Sequence, residues 1–270
     1  MTTSPLATPA PWSLLASAYE AEVLPTFQPF AQEALRLAGV PAGGRVADVA
    51  SGPGTLALLA ARAGLLVDAI DFSPEMIALL ERRAQAEGLR GIRASVGDGQ
   101  ALPHPDQGHD AAFSLFGLMF FPDRARGFAE LRRILRPGGR AVVSSWQPSE
   151  RSRVIAALFS AVQQALPPGT SAPSQPPPLG TEEACREEME PWFADVQVHP
   201  VSTQVQFDSA DALWDSMQRS MPPIVLMCEH HGEQAWAPIA ARVRALLAKS
   251  LGRGPVTLDL HAFLTVGVRR

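Results

Sequence analysis

The stretch Arg45-Val-Ala-Asp-Val-Ala-Ser-Gly-Pro-Gly-Thr-Leu-Ala57 decides how this chain is read. It begins as a buried β-strand, passes through a tight turn of small residues and opens a helix. Such a turn lets a ligand rest against bare backbone, and the helix behind it aims free N–H groups and a positive dipole end at that ligand. The next apolar run, 65–70, is a second strand ending at Asp71. A carboxylate at that place accepts both hydroxyls of a ribose. Asp98 follows a third strand. Together the three acidic positions describe a cleft for an adenosine-bearing cofactor.

The order of residues separates two cofactor classes. A dinucleotide fold needs three glycines in G-x-G-x-x-G so that a helix receives a pyrophosphate. Here the turn reads Ala50-Ser51-Gly52-Pro53-Gly54, with Asp48 inside the preceding strand. A carboxylate there repels a pyrophosphate and suits the ammonium of an amino acid. In these residues the chain resembles class I S-adenosylmethionine (SAM) dependent methyltransferases, whose first motif runs D-x-G-x-G-x-G; Ala50 stands where that pattern has its first glycine. Asp71-Phe-Ser-Pro-Glu-Met76 resembles the family's second motif, Gly97-Asp98-Gly99-Gln100-Ala-Leu-Pro103 its third, and 131–139 its helix-turn element. Phe113-Ser-Leu-Phe-Gly117 is read as the end of the fourth strand, where donor and acceptor meet. The resemblance is strong over about 40–147 and weak elsewhere.

The resemblance implies a cofactor site. Its members are Asp48, Ala50, Ser51, Gly52, Gly54 and Thr55 in the first loop, and Asp71, Phe72, Ser73 and Met76 at the second strand. Gly97, Asp98, Gly99 and Gln100 follow at the third, with Ser114, Leu115 and Phe116 at the fourth. Asp71 would hold the ribose, Phe72 and Met76 would pack on the adenine, and Asp98 would accept from the adenine amine. Tyr19, the single tyrosine, would close over the cofactor from the N-terminal helix. The cofactor is SAM and the product S-adenosylhomocysteine.

Composition narrows the partners. The 270 residues carry a net charge of −4, and the basic residues are dispersed arginines with a single lysine, Lys249. No run of them tracks a phosphate backbone, so nucleic acid is disfavoured. The two cysteines, Cys185 and Cys228, form neither a disulfide framework nor a metal site, so a reducing, cytoplasmic setting is expected. No signal peptide is visible at the N-terminus, and no apolar run has the length of a membrane span. A monomer or homodimer is expected.

The pattern implies a mostly parallel, doubly wound Rossmann-like α/β sheet with an antiparallel edge. Residues 1–11 read as unstructured, and 12–38 as helix broken near Pro25 and Pro29. The organisation expected is a tail and helical lid over 1–40, a SAM-binding core over 41–147, and a helical cap with a final antiparallel strand pair over 148–270. Residues 167–178 read as an exposed Pro/Ser/Gly segment. The cap supplies Trp214, Met217, Met221, Ile224, Met227 and Trp236, which fit an apolar acceptor pocket or a buried core equally well. Methyl transfer needs little covalent help from the protein, because the sulfonium is already activated; an oxygen acceptor of high pKa needs a base. Cys228-Glu-His-His231 lies in the cap, which makes His230 and His231 the candidate base. His104 and His109 read as surface turns without a role. No metal is expected, since Cys228 and the paired histidines lack a third ligand. The function expected is O-methylation of a small organic acceptor in secondary metabolism. The alternatives are C-methylation of a quinone-like, polyketide or terpenoid precursor, and a SAM-binding regulator without catalysis.

Overall fold

The structure, a computed structural model, describes residues 5–18, 22–167 and 177–270. After a 3-10 turn at Pro5–Ala7 come α1 (Pro9–Ala18), α2 (Leu24–Ala38), β1 (Arg45–Val49), α3 (Thr55–Arg62), β2 (Leu66–Asp71), α4 (Pro74–Ala86) and β3 (Ile92–Val96). Then follow β4 (His109–Leu115), α5 (Arg124–Ile134), β5 (Leu135–Trp146), α6 (Arg153–Ala165), α7 (Glu182–Met189) and β6 (Ala194–Phe207). The chain closes with α8 (Ala210–Ser220), α9 (Pro222–His231), α10 (Glu233–Leu251) and β7 (Val256–Val268). The seven strands form one sheet in the order β3-β2-β1-β4-β5-β7-β6. The first five are parallel, and β7 runs antiparallel between β5 and β6.

Period-two alternation sends each strand's side chains to two cores. Val46, Val67, Ala111 and Val142 meet Ala31 and Ala34 of α2, Leu56 of α3 and Leu80 of α4 on one face. Ala47, Ala112 and Val143 meet Phe128 and Leu131 of α5 and Met189 of α7 on the other. Ser73 caps α4, its Oγ accepting from Met76 N with Pro74 in the first turn. Ser152, Thr181 and Ser209 cap α6, α7 and α8 in the same way.

The chain departs from its sequence reading in three places. Residues 5–18 are structured: Trp12 Nε1 donates to Leu6 O, and the Trp12 ring packs on Phe120. Pro29 sits inside α2 without ending it. Burial of Phe30, Ala31 and Ala34 outweighs the one bond that proline forfeits. Leu135 already pairs with His109, and Arg136–Gly139 bulge before Arg140 takes up its register with Ala111. The apolar segment from Met221 is helix α9, with the prolines at its start where no N–H is needed.

The cap has its own core. Leu158 of α6, Leu213 and Trp214 of α8, Ile224 of α9, and Trp236 and Val243 of α10 pack together with Leu258 of β7. A small aromatic cluster joins α2 and the sheet: Phe116 stacks on Trp146 with ring centroids 4.1 Å apart, and Phe27 and Phe30 close around them. No helix among the described residues is long and apolar enough to cross a membrane.

Candidate active site

A cleft of about 1020 Å³ opens at the C-terminal ends of β1, β2 and β4. In an open parallel sheet this is where the strand order reverses and where ligands settle. The β1–α3 loop forms its floor. Ala50 and Gly52 both have positive φ, at 57° and 52°. Ala50 holds the left-handed conformation that favours glycine, and room for its methyl comes from Gly117: a Cβ there would lie 2.3 Å from that of Ala50. Gly54, with φ 85°, lies against Leu80, and a Cβ on it would come within 2.1 Å of Leu80 Cδ1. Gly54 therefore serves the packing of α3 on α4.

Two buried carboxyls dominate the electrostatics. Asp48 is 2% exposed and its Oδ2 accepts from Ala57 N at 3.1 Å. Burial pushes its pKa up to about 7, against relief from that hydrogen bond, and the nearby Asp71 adds to the rise. Asp71 accepts from Gly52 N at 2.8 Å and from Ser73 N at 2.9 Å. Burial raises it to about 6, while those backbone hydrogen bonds pull the other way. Neither carboxyl has an ion-pair partner among the described residues. Asp48 has the single donor Ala57 N, which leaves it lone pairs for a ligand. A ligand bearing positive charge and hydroxyl donors satisfies both groups, whereas a pyrophosphate meets only repulsion. The residues thus fit SAM, whose sulfonium and ammonium supply the charge and whose ribose supplies the hydroxyls.

Most of the expected cofactor residues converge here. Asp48, Ala50, Ser51, Gly52, Thr55, Asp71, Phe72, Met76, Gly97, Asp98, Gly99, Gln100, Leu115 and Phe116 all line the cleft. Asp98 is exposed, and its Oδ1 accepts from Gln100 N at 2.8 Å. Three expected residues stand behind the wall instead. Gly54 packs on Leu80, Ser73 caps α4, and Ser114, fully buried, accepts from Leu118 N at 3.0 Å. Tyr19 lies outside the described residues. Reading the sequence missed Leu6, Ala7 and Trp12 of the N-terminal segment, which line the cleft opposite the loop. Ser13 of α1 shares a hydrogen bond of 3.0 Å with Ser73 and donates to Glu75, tying α1 to the rim.

A second cavity of about 1610 Å³ adjoins the first. Leu6, Trp12, Phe27, Phe116 and Phe120 line both. Its roof comes from the cap, including Met217 and Met221 as expected. The other four expected pocket residues do not line it. Trp214, Ile224 and Trp236 are core of the cap, and Met227 packs against that core. The histidines correct the sequence reading further. His230 is exposed at the end of α9, His231 stacks on Trp236, and neither lines either cavity. The histidine that does is His261 on β7. Spacing gave no signal for it, because only strand pairing brings β7 beside the end of β5.

His109 is not a surface residue: it is 1% exposed and donates from Nε2 to Asp68 Oδ2 at 2.9 Å. Asp68, His104 and His109 are the one group with metal-ligand spacing among the described residues. Asp68 is already held by Arg45 and Arg93 as well. Burial raises its pKa, but the hydrogen bonds from His109, Arg93 and Arg45 win and leave it below the usual range. Two guanidiniums on the same carboxylate oppose a dication, so this cluster is an ion-pair hub at the start of the strands, away from the cleft.

Residues 46–139 match the family of methyltransferase domains. A demethylmenaquinone methyltransferase of Thermus thermophilus is 43% identical over 119 residues, covering 43% of this chain and 54% of that protein. The chain spans between 39% and 54% of the length of such curated relatives. Among solved structures, a phosphoethanolamine N-methyltransferase of Haemonchus contortus, in complex with phosphomonomethylethanolamine and S-adenosylhomocysteine, superposes with a TM-score of 0.58. It is 18% identical and covers 94% of this chain and 57% of the other. The [4+2]-cyclase SpnF superposes with a TM-score of 0.55 at 20% identity, covering 89% of this chain and 81% of that one. The shared fold thus carries more than one reaction. The domain match, the strand order and the motif positions agree: residues 46–139 of this chain are similar to a methyltransferase domain.

Proposed function

We propose that this chain transfers the methyl group of SAM to a small, largely apolar organic acceptor. The carrying observation is the pair of buried, unpaired carboxyls, Asp48 and Asp71, facing a cleft that opens into a larger aromatic cavity. Gly52, Asp71 and Asp98 would hold ribose and adenine, and Asp48 would face the ammonium of the methionine part. The sulfonium would then lie toward Leu115 and Phe116, at the boundary of the two cavities. SAM supplies an activated methyl group; the chain positions its acceptor in line and keeps water out.

The reading divides the chain as a lid over 1–40, a cofactor core over 41–147 and an acceptor cap over 148–270. The product is S-adenosylhomocysteine, the partner a small molecule, and the compartment the cytoplasm, in keeping with two unpaired cysteines. O-methylation of a hydroxyl in secondary metabolism is the first reading. C-methylation of a quinone-like precursor is the second, favoured by the demethylmenaquinone methyltransferase relative. Isothermal titration with SAM and S-adenosylhomocysteine tests the cofactor, and methyl release from labelled SAM onto an acceptor panel tests transfer. Tight SAM binding without transfer to any acceptor would favour a non-catalytic SAM-binding regulator, and absence of SAM binding would end the reading.

A further inference from the structure

The two edges of the sheet are built differently. β6, at one edge, carries Pro200 and a register shift between Ala194 and Gln197. Both features keep an edge strand from pairing with another chain. β3, at the other edge, has neither. Ile92–Val96 keeps an unbroken register with β2 and contains no proline. It meets β2 through one edge and packs on α4 and α3 through one face, and its outer edge pairs with no strand among the described residues.

Two hydrogen bonds fix which way its backbone groups point. Val67 N donates to Gly91 O at 2.8 Å, and Gly97 N donates to Asp71 O at 2.9 Å. In a parallel ladder the groups aimed at the neighbour alternate along the strand. Arg93 and Ser95 therefore turn their N–H and C=O groups to β2, and Ile92, Ala94 and Val96 turn theirs outward.

The stretch Arg90-Gly-Ile-Arg-Ala-Ser-Val-Gly-Asp98 complements itself when run antiparallel. A twofold axis through Ala94 sets Ala94 opposite its own copy, Ile92 opposite Val96 and Arg93 opposite Ser95. Each outward N–H and C=O of the strand then meets a partner. Arg90 comes to stand opposite Asp98, and both side chains are exposed in the single chain. A twofold axis through Arg93 would instead oppose two guanidiniums. The faces agree as well. Ile92 and Ala94 turn to the α4 side, where they line a groove of about 840 Å³ with Glu81, Gln85 and Arg90. Val96 shares their side by alternation and is 52% exposed, one of three large apolar residues left exposed among the described residues. Opposite Ile92 of a second copy, it is covered.

We propose that two copies of this chain associate through β3 about a twofold axis at Ala94, joining their sheets into one, with Arg90 of each copy paired to Asp98 of the other. Asp98 lines the cofactor cleft, so the partner's Arg90 reaches the rim of that cleft. The proposal rests on the sheet edge alone and does not depend on the reaction the chain performs.

The test is sedimentation velocity of the full chain over a range of micromolar concentrations. We expect a dimer. Arg90→Asp and Asp98→Arg should each raise the dimer dissociation constant about tenfold or more, because like charges then face each other twice across the axis. Combining the two substitutions should restore most of the affinity. Ala94→Pro removes the outward donor at the axis and should give a monomer; an edge position tolerates proline, and circular dichroism checks the fold. If that variant does not fold, the charge variants at the two exposed positions still decide the matter. A monomeric parent, single reversals without effect, a double variant no tighter than the singles, or a folded Ala94→Pro dimer of parental strength would each overturn the proposal.

Discussion

Replacing Asp48 with Asn should stabilise the protein without its cofactor while impairing the site. The carboxyl is buried with a single backbone donor, Ala57 N. Its pKa is lifted from 3.8 to about 7, chiefly by burial. The folded state therefore binds more protons than the unfolded one between those values. Stability falls as pH rises through that window and is flat above it. The difference is worth about 4 kcal/mol at pH 8. An asparagine keeps the acceptor for Ala57 N but buries an amide N–H₂ without an evident acceptor, which costs about 1–3 kcal/mol. The net gain expected at pH 8 is about 1–3 kcal/mol, or roughly 2–5 °C in Tm for a chain of this size. At pH 5 the parent's carboxyl is protonated and the gain disappears. His104 works in the opposite sense, since burial lowers its pKa and its contribution grows with pH. It is common to both proteins and cancels in their difference. The assay is thermal and urea denaturation of parent and variant from pH 5 to 8. SAM affinity at pH 8 should fall at least about tenfold in the variant, the worth of one hydrogen bond to a charged group. A Tm difference that does not vary with pH, or a variant less stable at pH 8, would refute the reasoning.

Asp71→Ala should weaken SAM by about 1.5–3 kcal/mol through the lost ribose bonds; unchanged affinity by calorimetry in a folded variant rules out that role. Gly117→Ala places a methyl against that of Ala50 and should cost about 1–3 kcal/mol. Adding Ala50→Gly should recover most of it, and additive losses in the double variant would show that the two sites do not touch. His230→Ala and His231→Ala should each leave SAM affinity and turnover within about twofold, as for residues outside both cavities. A hundredfold loss in single-turnover rate would return the base to the end of α9.

The residues from 45 to 146 made their fold legible because their information is local. Buried parallel strands need continuous apolar runs, and α4 and α5 announce themselves with the capping residues Ser73 and Asp123. The cofactor half of the site was legible for the same reason. Its residues sit at strand ends or in the turns directly after them, so strand order alone gathers Asp48, Asp71 and Asp98 at one end of the sheet. Within those motifs, sequence did not separate lining from support. Ser73, Gly54 and Ser114 lie in the right motifs but face a helix, a leucine and a backbone N–H.

The lining of the second cavity was decided by tertiary structure. His230 and His231 drew attention because they are adjacent, yet at the end of α9 they line neither cavity. His261 sits in an ordinary alternating strand and gains its place because β7 returns antiparallel between β5 and β6. Trp214 and Trp236 could line a pocket or fill a core on composition alone; the packing of α8 against α10 made them core. The sequence by itself determined the sheet, its cofactor loops and the charge they present, since these follow from period, turn chemistry and carboxylates at strand ends. Which side chains face the second cavity depends on non-local strand register and helix docking, which no spacing along the chain encodes.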